Sequence, residues 1–95
     1  MLQNHTFFKE KSYTFFSGPG HGWIEVPLKL AKLLELIKEI SVYSYYDAKK
    51  EILFLEEDCD APKFNKKFLE FFKVEPKIDF KNIENENFIR NLGRI

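Results

Sequence analysis

The sequence predicts a reversal of the chain at residues 17–23, which read SGPGHGW and lead into the strand-like IEVP of residues 24–27. Three glycines and a proline in this stretch open backbone angles that other residues avoid, so the chain can turn sharply and hold His21 and Trp23 in a fixed relation. The aromatic run Tyr13–Phe16 precedes the turn, and aromatic residues favour β-strands. We therefore expect the segments on either side of this loop to pair as a β-hairpin.

Two amphipathic helices are predicted further along, because large apolar residues recur at helical spacing with charged residues between them. In the first helix, which begins at Pro27, the apolar positions are Leu30, Leu33, Leu34, Ile37 and Ile40. In the second they are Phe64, Phe68, Phe71 and Phe72. Asp58 or Asp60 is expected to cap the second helix, since a carboxylate accepts the free N–H groups of a first turn.

The remaining apolar runs predict strands. Val42–Tyr46 and Glu51–Leu55 flank a short polar turn and are typical of an antiparallel hairpin. Shorter strands are expected at Phe7–Phe8 and at Lys77–Phe80. The element order β-β-α-β-β-α-β predicts an α+β fold, a ferredoxin-like sandwich. Its antiparallel sheet of about four to five strands would carry both helices on one face and leave the other partly bare.

The length of 95 residues predicts a single domain spanning residues 1–95. Residues 1–12 are interpreted as a loose N-terminal arm. Residues 82–95 form a polar tail in which four large apolar groups are interspersed, so we expect the tail to dock through Phe88 and Ile89.

Composition limits the classes of partner and the cellular compartment that we expect for the protein. The formal net charge is zero, so nothing global attracts a phosphate backbone and nucleic acid is not favoured. The lone Cys59 allows neither an intrachain disulfide nor a cysteine zinc cluster, which is typical of a reducing compartment. Neither a signal peptide nor an apolar run long enough for a membrane span is recognised, so the sequence predicts a cytoplasmic protein.

A partner-binding surface is predicted where acidic and aromatic residues concentrate. Six acids against two lysines between Asp47 and Asp60 give a local net charge of 2 − 6 = −4, which favours a partner with a basic surface. The residues assigned to this surface are Trp23, Tyr43, Tyr45, Glu56, Glu57 and Asp58. The acidic run lacks the central glycine and terminal glutamate of a calcium loop, and the aromatic strands lack the basic run of an RNA-binding sheet. No metal or cofactor is predicted.

The loop Gly20, His21 and Gly22 is the second candidate site, because imidazole titrates near neutrality and glycine leaves neighbouring N–H groups open to an anion. The simpler interpretation is a turn histidine that packs on Trp23. The alternative is a small enzyme or ligand-binding domain that uses His21 with Asp58 or Asp60 around a phosphorylated or metal-bound ligand.

Six segments carry a resemblance to other proteins: residues 17–23 (SGPGHGW), Val26-Pro27, Ser41, residues 43–45 (YSY), residues 55–61 (LEEDCDA) and residues 88–92 (FIRNL). In these segments the chain is similar to a family of small uncharacterised proteins carried by phages and plasmids. Gly93 stands where that family has a proline before its final arginine. The resemblance implies a mobile-element setting and no established activity.

These observations lead to three functional hypotheses. The first is a non-catalytic interaction domain that binds and blocks or modulates a host protein, as an inhibitor of the anti-defence type. The second is the His21 enzyme or ligand site. The third is a homodimer paired through the bare face of the sheet.

Overall fold

The computed structural model describes residues 2–95, with the side chains of residues 6–95. A five-stranded sheet lies at its centre, and helices pack against it. The helices are α1 (Leu2–Glu10), α2 (Leu28–Leu33), α3 (Ala61–Phe72) and α4 (Asn87–Arg90), with a 3₁₀ turn at Ile37–Glu39. The strands are β1 (Ser12–Ser17), β2 (Gly22–Pro27), β3 (Tyr45–Asp47), β4 (Ile52–Glu56) and β5 (Lys77–Asn82).

The fold is α+β, as predicted, but the ferredoxin-like antiparallel arrangement is wrong. The strand order is β3-β4-β2-β1-β5, and the sheet is mixed because β1 and β5 run parallel while the other pairs are antiparallel. β1 therefore lies between β2 and β5. Since parallel strands need a crossover connection, α3 serves as the crossover that carries the chain from β4 past two strands to the far edge.

The hairpin around the glycine loop is confirmed, with Phe15 opposite Ile24 and Gly18 N–H bonded to the carbonyl of His21 at 2.8 Å. The expectation that the glycines supply backbone angles closed to other residues is not confirmed. No described glycine has a positive φ angle. A Cβ at Gly22 would instead lie 2.5 Å from the ring of Phe15, and one at Gly18 would collide with the side chain of Glu86. At these two positions glycine permits close approach of neighbouring side chains.

The first predicted helix is shorter than expected. α2 ends at Leu33, and Glu35 follows in the left-handed region with a φ of 56°. Glu35 N–H bonds to the carbonyl of Lys32 and Leu36 N–H to that of Ala31, which is the Schellman arrangement that ends many helices. This reversal turns Leu36 into the core, where it is fully buried. The apolar spacing predicted a longer helix, but the chain leaves the helix after Leu33 and buries Leu36 instead.

The second helix and the β3–β4 hairpin are confirmed. Phe64, Phe68 and Phe72 are buried on α3, whereas Phe71 is exposed. β3 is shorter than predicted, since Val42 and Tyr43 precede it and are exposed. Asp60 occupies the N-cap position of α3, but its carboxylate makes no capping bond to the first turn. The predicted capping is therefore wrong, because this carboxylate bonds to Ser41 and Ser44 instead.

The N-terminal segment also differs from expectation. The strand predicted at Phe7–Phe8 is wrong, because both residues belong to α1. Phe8 packs in the core, and the buried Tyr13 hydroxyl donates to the Phe8 carbonyl at 2.6 Å. Residues 2–10 of the segment interpreted as a loose arm are helical, and Met1 lies outside the described residues.

The two faces of the sheet carry different cores, because side chains alternate along each strand. Ile24, Val26, Leu53 and Leu55 face the helices, in a core that includes Phe64 and Phe68. Trp23 and Phe54 lie on the opposite face beneath the buried Ile89 of α4. The face that was expected to be partly bare is covered over much of its area by the C-terminal segment. Among the described residues, no helix has the length and apolar character that crossing a membrane requires.

Candidate functional site: an aromatic cleft

A cleft of about 410 Å³ lies between the sheet and the C-terminal segment. We call it the aromatic cleft. Its walls come from the glycine loop, the approach to β3, the end of β4 and the C-terminal segment. The residues that line it are His21, Trp23, Tyr43, Tyr45, Glu56, Asp58, Cys59, Arg90 and Arg94.

The register of three neighbouring strands builds the floor of the cleft. Trp23 of β2 lies opposite Glu56 of β4, and Tyr45 of β3 lies opposite Phe54. The rings of Trp23 and Tyr45 meet edge to face with centroids 6.1 Å apart. Trp23 is only 1% exposed, and its indole Nε1 has no hydrogen-bond partner among the described residues. Its ring therefore supports the cleft from below and offers little surface to a partner.

Two arginines of the C-terminal segment form the opposite wall. The guanidinium of Arg90 lies 5.2 Å from the ring centroid of Trp23, and that of Arg94 lies 4.0 Å from the ring centroid of Tyr45. Both distances suit cation–π attraction. Arg94 makes no ion pair with a carboxylate of the described residues. Neither residue was predicted from the sequence as part of a site, although they are the only arginines in the chain and lie among the apolar residues Phe88, Ile89, Leu92 and Ile95.

Glu86 ties the glycine loop to the C-terminal segment. Its Oε2 accepts hydrogen bonds from Gly20 N–H at 3.0 Å and His21 N–H at 3.3 Å, while its Oε1 accepts from Arg90 Nε at 2.7 Å. The bond from Gly20 N–H, followed by that from Arg90, lowers the pKa of this carboxyl group. The open N–H groups expected in the loop are thus taken by a side chain of the protein itself.

The predicted acidic residues divide into a buried one and an exposed pair. Glu56 is 6% exposed, and its Oε1 accepts hydrogen bonds from the N–H groups of Asp58 at 3.0 Å and Cys59 at 2.9 Å. Its Oε2 lies 3.8 Å from Nδ1 of His21. Glu57 and Asp58 are exposed, and we call this pair the acidic rim. Asp58 lines the cleft, whereas Glu57 does not, and the carboxylate of Glu57 lies close to Gly22 on the side of the Phe15 ring.

Asp60 stabilises the backbone behind the cleft through hydrogen bonds. Its side chain is 0% exposed and does not line the cleft. Its Oδ2 accepts from Ser41 N–H at 2.9 Å, from Ser41 Oγ at 2.8 Å and from Ser44 Oγ at shorter range. Burial would raise the pKa of Asp60, but the bonds from Ser44, Ser41 and Lys63 outweigh it and hold the pKa below its usual range. Asp60 thereby holds the backbone on both sides of Tyr43.

The cleft holds one thiol, that of Cys59, and its surroundings disfavour the thiolate form. Burial, a hydrogen bond to Glu56 and the charges of Glu56, Asp60 and Asp58 raise the pKa of the Cys59 thiol. A raised pKa keeps a thiol protonated and poorly nucleophilic. The rings of His21 and Trp23 lie 6.0 Å apart, in line with the interpretation of a turn histidine packed near Trp23. Among the residues that the structure describes, no three His, Cys, Asp or Glu side chains are grouped to hold a metal ion.

These features define a small α+β domain whose mixed sheet carries α1, α2 and α3 on one face and, beside α4, a polar, aromatic cleft on the other. No protein-family model matches this chain, and neither a curated protein nor a solved structure matches it.

Proposed function

We propose that the protein is a small, non-catalytic interaction domain that binds a host protein through the aromatic cleft and the acidic rim, and thereby blocks or modulates it. The observation that carries the proposal is the convergence of residues distant in sequence on one surface. The predicted residues that line the same cleft are His21, Trp23, Tyr43, Tyr45, Glu56 and Asp58.

The exposed residues indicate the chemistry of the partner. Tyr43 is 62% exposed and lies between Ser41 and Ser44, which Asp60 fixes. A large ring on a fixed backbone loses little freedom on binding, which is why tyrosine is frequent among interface anchors. The carboxylates of Glu57 and Asp58 make no ion pair with the described residues. We infer that a Lys or Arg of the partner pairs with this rim. Tyr43 then packs against apolar residues of the partner that neighbour this Lys or Arg.

The setting of the proposal comes from the resemblance of the glycine loop and the LEEDCDA run to small phage and plasmid proteins. Such proteins often bind a host defence nuclease, polymerase or repressor and block it. On this hypothesis the domain acts in the cytoplasm of a bacterial host as a stoichiometric inhibitor of the anti-defence type.

The experiment is quantitative affinity capture from host lysate, followed by binding measurements with the purified target. The test variant is Glu57→Lys with Asp58→Lys. Glu56 is left unchanged because its carboxylate holds the backbone of Asp58 and Cys59. The control variant, Glu75→Lys with Glu84→Lys, makes the same change in net charge at exposed positions away from the cleft.

The proposal expects one host protein at near-stoichiometric amount on the wild type and on the control variant, and its loss from the test variant. Equal retention by all three proteins would contradict the assignment of the rim. Capture of no host protein by the folded wild type would contradict the proposal itself.

A second candidate function is the binding of a small anionic ligand, and the position of Arg94 favours it. This guanidinium lines the cleft near His21 without a carboxylate partner among the described residues. The version that pairs His21 with Asp60 loses support, because Asp60 is buried and engaged by Ser41 and Ser44. Calorimetry with inorganic phosphate, nucleotides and divalent cations tests this candidate. Heat that disappears in Arg94→Ala and in His21→Ala would favour it, and absence of heat would remove it.

A further inference from the structure

β5 (Lys77–Asn82) is an edge strand whose outer side no other described strand pairs with. The opposite edge of the sheet, at β3, is different, because the N–H of Tyr46 bonds to the carbonyl of Gly93 at 2.9 Å. The C-terminal segment therefore covers the β3 edge and leaves the β5 edge open. An open edge presents unpaired N–H and C=O groups that can template another strand.

The pairing of β5 with β1 determines which residues offer those groups. Ile83 N–H bonds inward to the carbonyl of Ser17 at 2.9 Å, and Ser17 stands opposite Asn82. In a parallel ladder the inward groups belong to alternate residues. Lys77, Asp79 and Lys81 therefore bond toward β1, and the N–H and C=O groups of Ile78, Phe80 and Asn82 point outward.

We propose that two copies of this chain pair through β5, antiparallel and centred on Phe80. In this register Phe80 faces Phe80 of the second copy, and Ile78 faces Asn82. Every one of these residues has its backbone groups outward, so each opposed pair is of the hydrogen-bonded kind. Phe80 is 76% exposed in the single chain, and the pairing removes much of that apolar surface from water.

The charges of β5 select this register over its neighbours. Centring on Phe80 places Asp79 opposite Lys81 of the second copy, and by symmetry Lys81 opposite Asp79. These are non-hydrogen-bonded positions, where opposed side chains approach most closely. Centring on Asp79 would instead oppose Asp79 to itself and Lys77 to Lys81. Centring on Lys81 would oppose Lys81 to itself. The surface is therefore complementary to itself in one register, which makes a second copy the occupant it fits.

This inference is independent of the proposed function, since β5 does not line the aromatic cleft. It also differs from the expected homodimer through a bare sheet face, because the pairing uses the edge and leaves both faces in place.

Sedimentation analysis tests the proposal on the full chain, over concentrations from about 1 µM to about 1 mM. The wild type should shift with rising concentration from 11.4 kDa toward twice that mass. Asp79→Lys opposes like charges at both pairs and should raise the dimer Kd about tenfold or more. Adding Lys81→Asp to that variant restores opposite charges and should return the Kd to near the wild-type value.

A second variant removes an outward backbone N–H group of β5. It separates loss of dimerisation from any effect that the charge changes have on folding. The N–H of Asn82 points away from β1, so Asn82→Pro keeps the internal ladder and removes bonds only from the dimer. It should be folded by circular dichroism and monomeric. A wild type that stays at the monomer mass throughout would overturn the proposal. A dimer that persists in Asn82→Pro would also overturn the proposal. The same holds if Asp79→Lys with Lys81→Asp fails to restore association.

Discussion

Replacement of the buried Asp60 by Asn should destabilise the protein by about 2 kcal/mol at pH 7, because hydrogen bonds to a charged group contribute about 1.5 to 3 kcal/mol and the amide retains part of them. Oδ2 of Asp60 accepts three hydrogen bonds, and Oδ1 accepts one from Lys63 Nζ at 3.1 Å. If the amide oxygen takes the place of Oδ2, the NH₂ group faces the ammonium of Lys63. The variant therefore loses one charge-assisted bond and weakens three.

The pH dependence gives a second signature of the same group. The pKa of Asp60 lies below its usual range in the folded protein, and an unfolded aspartate has a pKa of about 3.9. The stabilisation is therefore fully present above the unfolded pKa, and it is lost as the pH falls below about 4 and through the folded pKa. The difference in stability between wild type and Asp60→Asn should shrink over that range. Contributions of the other carboxyl groups are common to both proteins and cancel.

Urea unfolding measures both effects, with the fluorescence of Trp23 as the probe because it is the single tryptophan and is buried. Asp58→Asn is the matched control, since its carboxylate is exposed and should change stability by less than about 0.5 kcal/mol. If Asp60→Asn matched the wild type within that margin at pH 7, the role assigned to Asp60 would be refuted. A stability difference that stays constant down to pH 3 would refute the explanation by charge.

Three further predictions follow from the backbone, the glycine loop and the thiol. Glu35→Gly should stabilise the protein by about 0.5 to 1 kcal/mol in thermal or urea unfolding, because glycine adopts the left-handed angle at no steric cost, and a loss of stability would contradict the helix end described for α2. Glu86→Ala should speed hydrogen exchange at the amides of Gly20 and His21 in NMR while a core amide such as that of Leu55 is unchanged; equal protection in both proteins would contradict the tie through Glu86. Cys59 should react with a thiol reagent at pH 7.5 more slowly than an unstructured cysteine peptide, since its pKa is raised, and faster modification would contradict the assigned environment.

The sequence predicted the local elements better than their arrangement. The spacing of Phe64, Phe68 and Phe72 identified α3, and the glycine loop identified the β1–β2 hairpin, because both depend on neighbouring residues. The pairing of β1 with β5 joins Ser12 to Lys77 and is parallel, so no turn residue or periodicity signals it. The end of α2 was missed for a different reason. The left-handed position holds Glu35 in place of a glycine, and the burial of Leu36 outweighs the local preference.

The candidate site was predicted in part. Aromatic and acidic residues that the sequence groups by type do meet in one cleft, since Trp23, Tyr45 and Glu56 share a sheet face through strand register. Arg90 and Arg94 were missed because the path of the C-terminal segment across the sheet depends on the burial of Ile89 beneath it. The solvent exposure of individual residues could not be predicted from the sequence either. Trp23 and Glu56 are buried, whereas Asp58 is exposed.

The central claim is that the aromatic cleft and the acidic rim are the binding surface. The most direct test is an NMR titration of labelled protein with the host target identified by capture. The account predicts that the largest shift changes fall at Tyr43, Glu57, Asp58 and Arg94, and that they vanish in Glu57→Lys with Asp58→Lys. Changes centred on α3 or on β5, with the cleft residues unmoved, would contradict it.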